Sequence, residues 1–251
     1  MRMEPRDYAE RIERAPELPR GDGERFGGYG VMGAPFASGH VLAMRRFTAS
    51  SVGAGYTSVW HRDPDGAWTF YADVEPLQTC TRYFGGGVRH AIECPIEVSW
   101  PAPRVLRVGV PSAGLTWEVE LASTVATRAL NAMARVMPDR LWKDRRVLSM
   151  MAAVAGPMLG AGRLGVQGRA PNGQLFVANP MVLWTIARTA ASIGDADLGR
   201  PGPLAVQAQL GDFWIPQRGL FAVGRAFFET FDPARHLAVA CSDASPAAGA
   251  S

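Results

Sequence analysis

Histidine, tyrosine and aspartate can all transfer protons, and the three residue types recur at alternating positions within residues 56–73. A Pro-Asp-Gly turn at residues 64–66 divides this segment into two aromatic-rich arms, which is typical of a β-hairpin. Because side chains alternate across a strand, one face of the hairpin carries Thr57, Val59, His61, Thr69, Tyr71 and Asp73. The sequence therefore predicts that His61, Tyr71 and Asp73 share one surface.

The opposite face of this hairpin is aromatic, and two interpretations are open. In the first, the aromatic face is the core and the polar face meets solvent. In the second, the polar face lines a barrel cavity while helices cover the aromatic side chains. Desolvation would then shift the pKa of Asp73 or His61 and suit them to proton transfer, with Tyr71 orienting a substrate or stabilising charge. The candidate ligand contacts are Trp60, Trp68, Phe70 and His90, and His90 is also a reserve proton-transfer residue.

No motif outside the hairpin indicates a cofactor-binding or metal-binding site. Two GxGxxG strings, at residues 28–33 and 160–165, lack the preceding strand and following helix that a dinucleotide site needs. The four histidines are scattered, which does not favour a metal site. The only lysine, Lys143, lies in a charged helical stretch, which argues against a buried Schiff base. We therefore expect neither a cofactor nor a metal.

Composition and charge indicate an ordinary globular protein. The chain has 251 residues, 47% hydrophobic and 20% charged, and its net charge of +3 is spread without a basic patch for nucleic acid. Its three cysteines are too few for a secreted disulfide framework, so free thiols are favoured over a Cys80–Cys94 pair. Neither a signal peptide nor a transmembrane run is evident, which predicts a cytoplasmic protein. The oligomeric state is open.

The hydrophobic period predicts the elements that position the hairpin. Alternation predicts strands on both sides of it, whereas the glycine-rich residues 27–39 predict loops and bulges. The period becomes helical at about 123–160, and a second Pro-Asn-Gly turn follows at residues 171–173. The predicted fold is mainly β, an antiparallel barrel or closed sandwich with this internal helical insertion. We also expect three segments along the chain. They are a mobile or surface-draped arm at 1–25, one domain at 26–240 and a disordered tail at 241–251.

Two strings, Trp-His-Arg-Asp-Pro-Asp-Gly-Ala-Trp at residues 60–68 and Gly-Arg-Ala-Pro-Asn-Gly at 168–173, occupy β-rich halves separated by a helical interruption. This arrangement resembles the lipocalin-like (calycin) proteins of the carotenoid 1,2-hydratase and AttH type. The resemblance implies an apolar cavity suited to isoprenoids, polyketides or acyl chains. It also implies cofactor-free, acid-driven hydration, isomerisation or cyclisation. No catalytic motif of that family matches this chain residue by residue, so the family supplies no active site.

Two function classes follow from these patterns. The first is binding of a hydrophobic small molecule in a β-barrel, with or without lyase or isomerase chemistry by Asp73, His61 and Tyr71. The second is a non-enzymatic interaction protein whose helical insertion docks on a partner or a membrane surface. Six of the ten methionines lie between Met133 and Met181, and flexible thioethers suit an adaptable apolar surface.

Overall fold

The computed structural model describes residues 3–238, and most of its regular structure is β-strand. The α-helices in this part of the chain are α1 Pro5–Arg14, α2 Thr81–Phe84, α3 Val125–Val136 and α4 Arg145–Leu159. The strands are β1 Glu24–Pro35, β2 Val41–Ser50, β3 Tyr56–Arg62, β4 Trp68–Ala72, β5 His90–Glu93, β6 Glu97–Ala102, β7 Val105–Val110, β8 Leu115–Ala122, β9 Gln167–Arg169, β10 Leu175–Ile193, β11 Ala196–Asp197, β12 Gln209–Leu210, β13 Phe213–Trp214 and β14 Leu220–Phe228.

One large sheet holds twelve of the described strands. Ten of them follow the order β5-β4-β3-β2-β1-β14-β10-β8-β7-β6, while β9 and β11 pair with β10 off this path. All pairs in it are antiparallel except β4 with β5. The two edge strands, β5 and β6, are consecutive in the chain, so their linked ends lie within roughly 14 Å of each other. The sheet must therefore curl into a half-barrel, which confirms the mainly β, barrel-like prediction.

The curled sheet has two apolar faces. The inner face is the one on which side chains from both edge strands, Ile92 and Val98, pack into one cluster with Val59 and Phe221. The outer face carries a second cluster, which is rich in aromatic residues. Its large members are Phe26, Tyr56, Trp60, Trp68, Phe70, Tyr83, Phe84, Phe176 and Phe228. The apolar side chains of the hairpin are therefore divided between two separate clusters.

The prediction of loops at residues 27–39 is wrong for most of that range, because Glu24–Pro35 is a central strand of the sheet. A Cβ atom on Gly28 would collide with the backbone carbonyl of Arg46, and one on Gly30 with that of Met44. These glycines are required by the close approach of two strands and not by a turn.

The helical insertion begins and ends as predicted. The Thr124 side chain accepts a hydrogen bond from the backbone N–H of Thr127 and so caps α3. Asp144 caps α4 in the same way, and Gly160, with a φ of 62°, ends it in the left-handed conformation. Asn131 joins α3 to the sheet, because its side-chain amide both donates to and accepts from the backbone of Leu183.

The N-terminal arm contains a packed helix. Ala9 of α1 is buried, and the ring of Tyr8 contacts Trp184 edge to face. Glu13 pairs with Arg46 of β2, which fixes the end of the helix to the sheet. Cys80 and Cys94 are free thiols, as expected. The predicted tail at 241–251 lies outside the described residues, and the predicted domain limits stay predictions.

Candidate functional site

The hairpin of β3 and β4 has the predicted register. His61 pairs with Thr69, and Val59 pairs with Tyr71. Beyond the last strand pair, the Thr57 N–H donates to Asp73 Oδ1 at 2.7 Å, and the Asp73 N–H donates to the Thr57 carbonyl at 3.1 Å. The face that carries His61, Tyr71 and Asp73 is the inner face, because Val59 and Tyr71 pack into its cluster.

The three proton-transfer candidates occupy different positions along that face. His61 is half-buried and stacks on His40, with a ring nitrogen of each 3.0 Å apart. Burial, together with the neighbouring His40, lowers the pKa of His61 to about 4, so its imidazole is neutral at pH 7. Tyr71 is half-buried, and burial raises the pKa of its phenol. Asp73 is exposed and lies four strand positions from His61, roughly 13 Å away along the strand.

Asp73 lines an open polar groove, which we call the inner-face groove. Its other lining residues include Glu10, Glu13 and Arg14 of α1, Arg46 and Thr57 of the sheet, and Trp100. The Glu13 carboxylate accepts hydrogen bonds from Arg46 Nε and Nη2, both at 2.9 Å, and from the Tyr29 hydroxyl at 2.9 Å. Burial alone would raise the pKa of Glu13, but the Arg46 bonds lower it overall. The Glu13 and Arg46 charges of the groove are therefore paired with each other.

A cavity of about 160 Å³ lies against the outer face, and we call it the outer-face cavity. Its walls are the outer face of β1, β2, β3, β10 and β14 on one side and helices α3 and α4 on the other. The lining is mostly aromatic and aliphatic, and includes Phe26, Tyr56, Trp60, Phe84, Phe176 and Phe213. The helices therefore cover the aromatic side chains, as the second interpretation of the hairpin predicted. The cavity, however, lies on the aromatic side of the sheet and not on the polar side. His61, Tyr71 and Asp73 are not among its lining residues.

The predicted ligand contacts are divided by the fold. Trp60 lines the outer-face cavity. Phe70 stacks on Trp60 at 4.3 Å between ring centroids, and Trp68 meets it edge to face at 6.5 Å, so both support its indole. His90 is exposed on the edge strand β5, paired with Thr69. The structure therefore brings three of the four into one aromatic cluster and leaves His90 apart, while their role towards a ligand stays a prediction.

Arg45 is the residue that sequence reasoning missed. It lies on β2 at the edge of the cavity and is only 5% exposed. Its Nη1 donates to the carbonyls of Val31 and Met44, and its Nη2 donates to the carbonyl of Met32 at 3.1 Å. The guanidinium also lies over the Trp60 ring, 4.7 Å from its centroid. The available signal was its parity, because Arg45 shares the apolar face of β2 with Val41, Ala43 and Phe47.

Within residues 3–238, the surroundings of Arg45 contain no opposite charge. Burial lowers the pKa of Arg45 to about 10, so the guanidinium is charged at neutral pH. The nearest titratable groups are Cys80 and Tyr56, whose sulfur and hydroxyl lie 3.2 Å apart. Burial raises the pKa of both, and they are therefore neutral. Among the described residues, no Asp, Glu, His or Lys lines the cavity.

Some buried polar atoms of the lining residues have no hydrogen-bond partner within residues 3–238. They are Trp60 Nε1, Trp142 Nε1 and Asn179 Oδ1. A buried polar atom without a partner costs free energy, so such atoms mark positions where a bound polar group would be stabilising.

Residues 3–238 hold no cluster of three or more His, Cys, Asp or Glu side chains that could bind a metal ion. In the same part of the chain, every helix is too short or too polar to cross a bilayer.

Comparison with known proteins yields only distant similarity. No protein-family model and no curated protein sequence matches the chain. One similar solved structure is an acetoacetate decarboxylase from Legionella pneumophila subsp. pneumophila str. Philadelphia 1, with 11% identity over 89% of this chain and 92% of that chain and a TM-score of 0.38. A second acetoacetate decarboxylase structure has 11% identity over 90% and 92%, with a TM-score of 0.40. These values are too low to transfer a residue role or an activity.

Proposed function

We propose that this protein binds a hydrophobic small molecule in the outer-face cavity. The observation that carries the proposal is a largely apolar space walled by aromatic rings between the sheet and the helical insertion. A volume near 160 Å³ is similar to the ~150 Å³ of an apolar protein cavity that holds benzene. The cavity therefore suits one ring or a short acyl or isoprenoid segment, which agrees with the ligand classes implied by the lipocalin-like resemblance.

Acid/base chemistry by Asp73, His61 and Tyr71 is a separate part of the proposal, and it belongs to the inner face. Among the described lining residues of the outer-face cavity, none has a side chain that titrates near neutral pH. Binding alone is therefore the function that the cavity supports best, and hydration, isomerisation or cyclisation would require a substrate in the inner-face groove, where Asp73 lies.

Titration calorimetry with uncharged ligands tests the binding proposal. The ligands are 4-phenylbutan-1-ol, 1-octanol and geraniol, which represent a ring, an acyl chain and an isoprenoid. Ala152 lines the cavity, whereas its neighbour Ala153 is exposed. We expect Ala152→Phe to fill the cavity and weaken binding by about 10-fold or more, since one lost ring contact costs at least 1.4 kcal/mol. Ala153→Phe is the matched control and leaves the affinity unchanged.

The proposal fails if none of these three ligands binds the wild-type protein. It also fails if both alanine variants reduce the affinity equally, because the ligand would then lie outside the cavity. Tryptophan emission gives a second readout, since Trp60, Trp142 and Trp214 all line the cavity and a ligand there would change it.

The docking alternative keeps one specific observation in its favour. Large apolar side chains on α3 and α4 are exposed by 43–79%, namely Val125, Met133, Val136, Met150, Val154 and Met158. Leu130 is buried, so only part of the insertion packs on the sheet. Sedimentation with phosphatidylcholine–phosphatidylglycerol vesicles tests a membrane-docking role. Binding that Val154→Asp abolishes would support it, and absence of the wild-type protein from the vesicle pellet would contradict it.

A further inference from the structure

We infer that the ligand of the outer-face cavity is a hydrophobic monocarboxylate whose anionic group binds Arg45. The inference rests on the binding function proposed above and adds the chemical class of the ligand. It is carried by the placement of one buried cation in the wall of a largely apolar cavity that no described Asp or Glu lines. The other lining arginine, Arg225, is exposed.

The buried charge of Arg45 is costly unless it is compensated. A buried cation is stable when an opposite charge accompanies it, and breaking a buried ion pair is strongly destabilising. Half-buried Arg46 and Arg82 follow that rule through Glu13 and Glu24. Half-buried Arg25 and Arg62 instead donate to backbone carbonyls among the described residues, so Arg45 is set apart by its nearly complete burial. Arg45 has only backbone carbonyls and aromatic rings as partners among the described residues.

Arg45 has more donors than its carbonyl partners use. A guanidinium has five N–H groups, and Arg45 uses three of them on the carbonyls of Val31, Met32 and Met44. Its Nε–H and one Nη2–H have no partner among the described residues. Arg46, Arg82 and Arg104 each hold a glutamate through this same pair of nitrogens, Nε and Nη2. The free edge of Arg45 is therefore the edge with which this protein already binds carboxylates.

A purely structural role is the competing explanation. The three carbonyls lie where β1 is irregular, since its pairing shifts register after Val31 with both neighbouring strands. Arg45 does stabilise this bulge. No neutral side chain carries more than two N–H donors, so the three carbonyls themselves favour an arginine. They leave its Nε–H and one Nη2–H without a partner among the described residues, however, and the bulge does not account for those two donors.

Two of the unpartnered lining atoms suit a carboxylate. Among the described residues, Trp60 Nε1 and Trp142 Nε1 are buried donors without a partner, and the Trp60 ring lies beneath the guanidinium. The third, Asn179 Oδ1, is an acceptor that a carboxylate would not satisfy. One buried cation matches a single negative charge. The aromatic walls of the cavity match a ring or a short hydrocarbon chain.

Matched ligand pairs test the inference by calorimetry at pH 7.5. Each pair has one carbon skeleton: 4-phenylbutyrate with 4-phenylbutan-1-ol, and octanoate with 1-octanol. We expect the wild-type protein to bind each acid about 10-fold or more tightly than its alcohol, the effect of charge-assisted hydrogen bonds in a low dielectric. Arg45→Met should abolish this preference, Arg45→Lys should retain part of it, and Arg188→Met, which removes an exposed arginine from the same sheet, should leave it intact.

Each outcome decides between the two proposals. If acids and alcohols bind the wild type equally, the carboxylate inference is wrong and the binding function stands. If neither class binds, the binding function fails and the inference fails with it. If the acid preference survives in Arg45→Met, another group holds the anion and the inference is overturned. Should Arg45→Met fail to unfold cooperatively, the wild-type ligand pairs and Arg45→Lys decide the question without it.

Discussion

The outer-face cavity and the inner-face groove lie on opposite sides of the same strands, yet they treat charge in opposite ways. Arg45 and Arg46 are consecutive residues of β2. Arg46 is partly exposed in the groove and forms a two-bond pair with Glu13. Arg45 is buried at the cavity and has no carboxylate partner among the described residues. One step along a strand thus separates a partly exposed ion pair from a buried cation that we propose receives a ligand.

The comparison also separates the two groups of candidate residues. Trp60 supplies a wall of the cavity, while its neighbour His61 points to the inner face beside His40. Residues on the two faces can therefore be changed independently.

The largest expected difference is between alanine substitutions at the two consecutive arginines. Arg45→Ala removes donors from three buried carbonyls and leaves a void, and we expect the free energy of unfolding to fall by about 3 kcal/mol. Arg46→Ala breaks a partly exposed ion pair and should cost about 1 kcal/mol or less. Urea denaturation of both variants measures the two free energies of unfolding. Equal losses would show that the two faces are not electrostatically distinct.

A smaller effect concerns the pH dependence of stability and belongs to the inner face. The folded-state pKa of His61, about 4, is below its ordinary value of 6.5, so the unfolded chain binds the extra proton first. The stabilising contribution is therefore present above pH 6.5 and is lost as the pH falls from 6.5 towards 4. Urea denaturation at pH 7.5 and pH 5 should show a smaller loss for His61→Gln than for the wild type.

His90 provides the control for that measurement, because it is an exposed histidine on the neighbouring edge strand. His90→Gln should retain the wild-type pH dependence. If His61→Gln and the wild type lose the same stability on acidification, the pKa of His61 is not lowered in the folded protein.

The smallest expected effect is that of Asp73→Asn on ligand binding in the outer-face cavity. Asp73 faces the groove, and a neutral amide keeps an oxygen that can accept the bond from the Thr57 N–H. Calorimetry should therefore give an unchanged affinity for 4-phenylbutyrate. An acid/base role would appear separately, as loss of turnover of any substrate found for the protein. A large change in affinity would mean that the two faces communicate.

Part of the fold could be predicted because its signals are local. The register of the β3–β4 hairpin follows from one Pro-Asp-Gly turn, and the bounds of α3 and α4 follow from the capping residues Thr124 and Asp144. The central strand β1 was predicted as loop, because glycine has the same local signature in a turn and in a strand pressed against its neighbours.

The sequence by itself determined which side chains share a face, that the chain is mainly β, and where the helices interrupt it. Only the tertiary structure decided what each face of the sheet contacts. Alternation is a property of a single strand, whereas the curl that joins β5 to β6, and the position of α3 and α4 over the aromatic side, depend on contacts between distant segments. For the same reason, Arg45 became a candidate ligand-binding residue only once the cavity beside it was known.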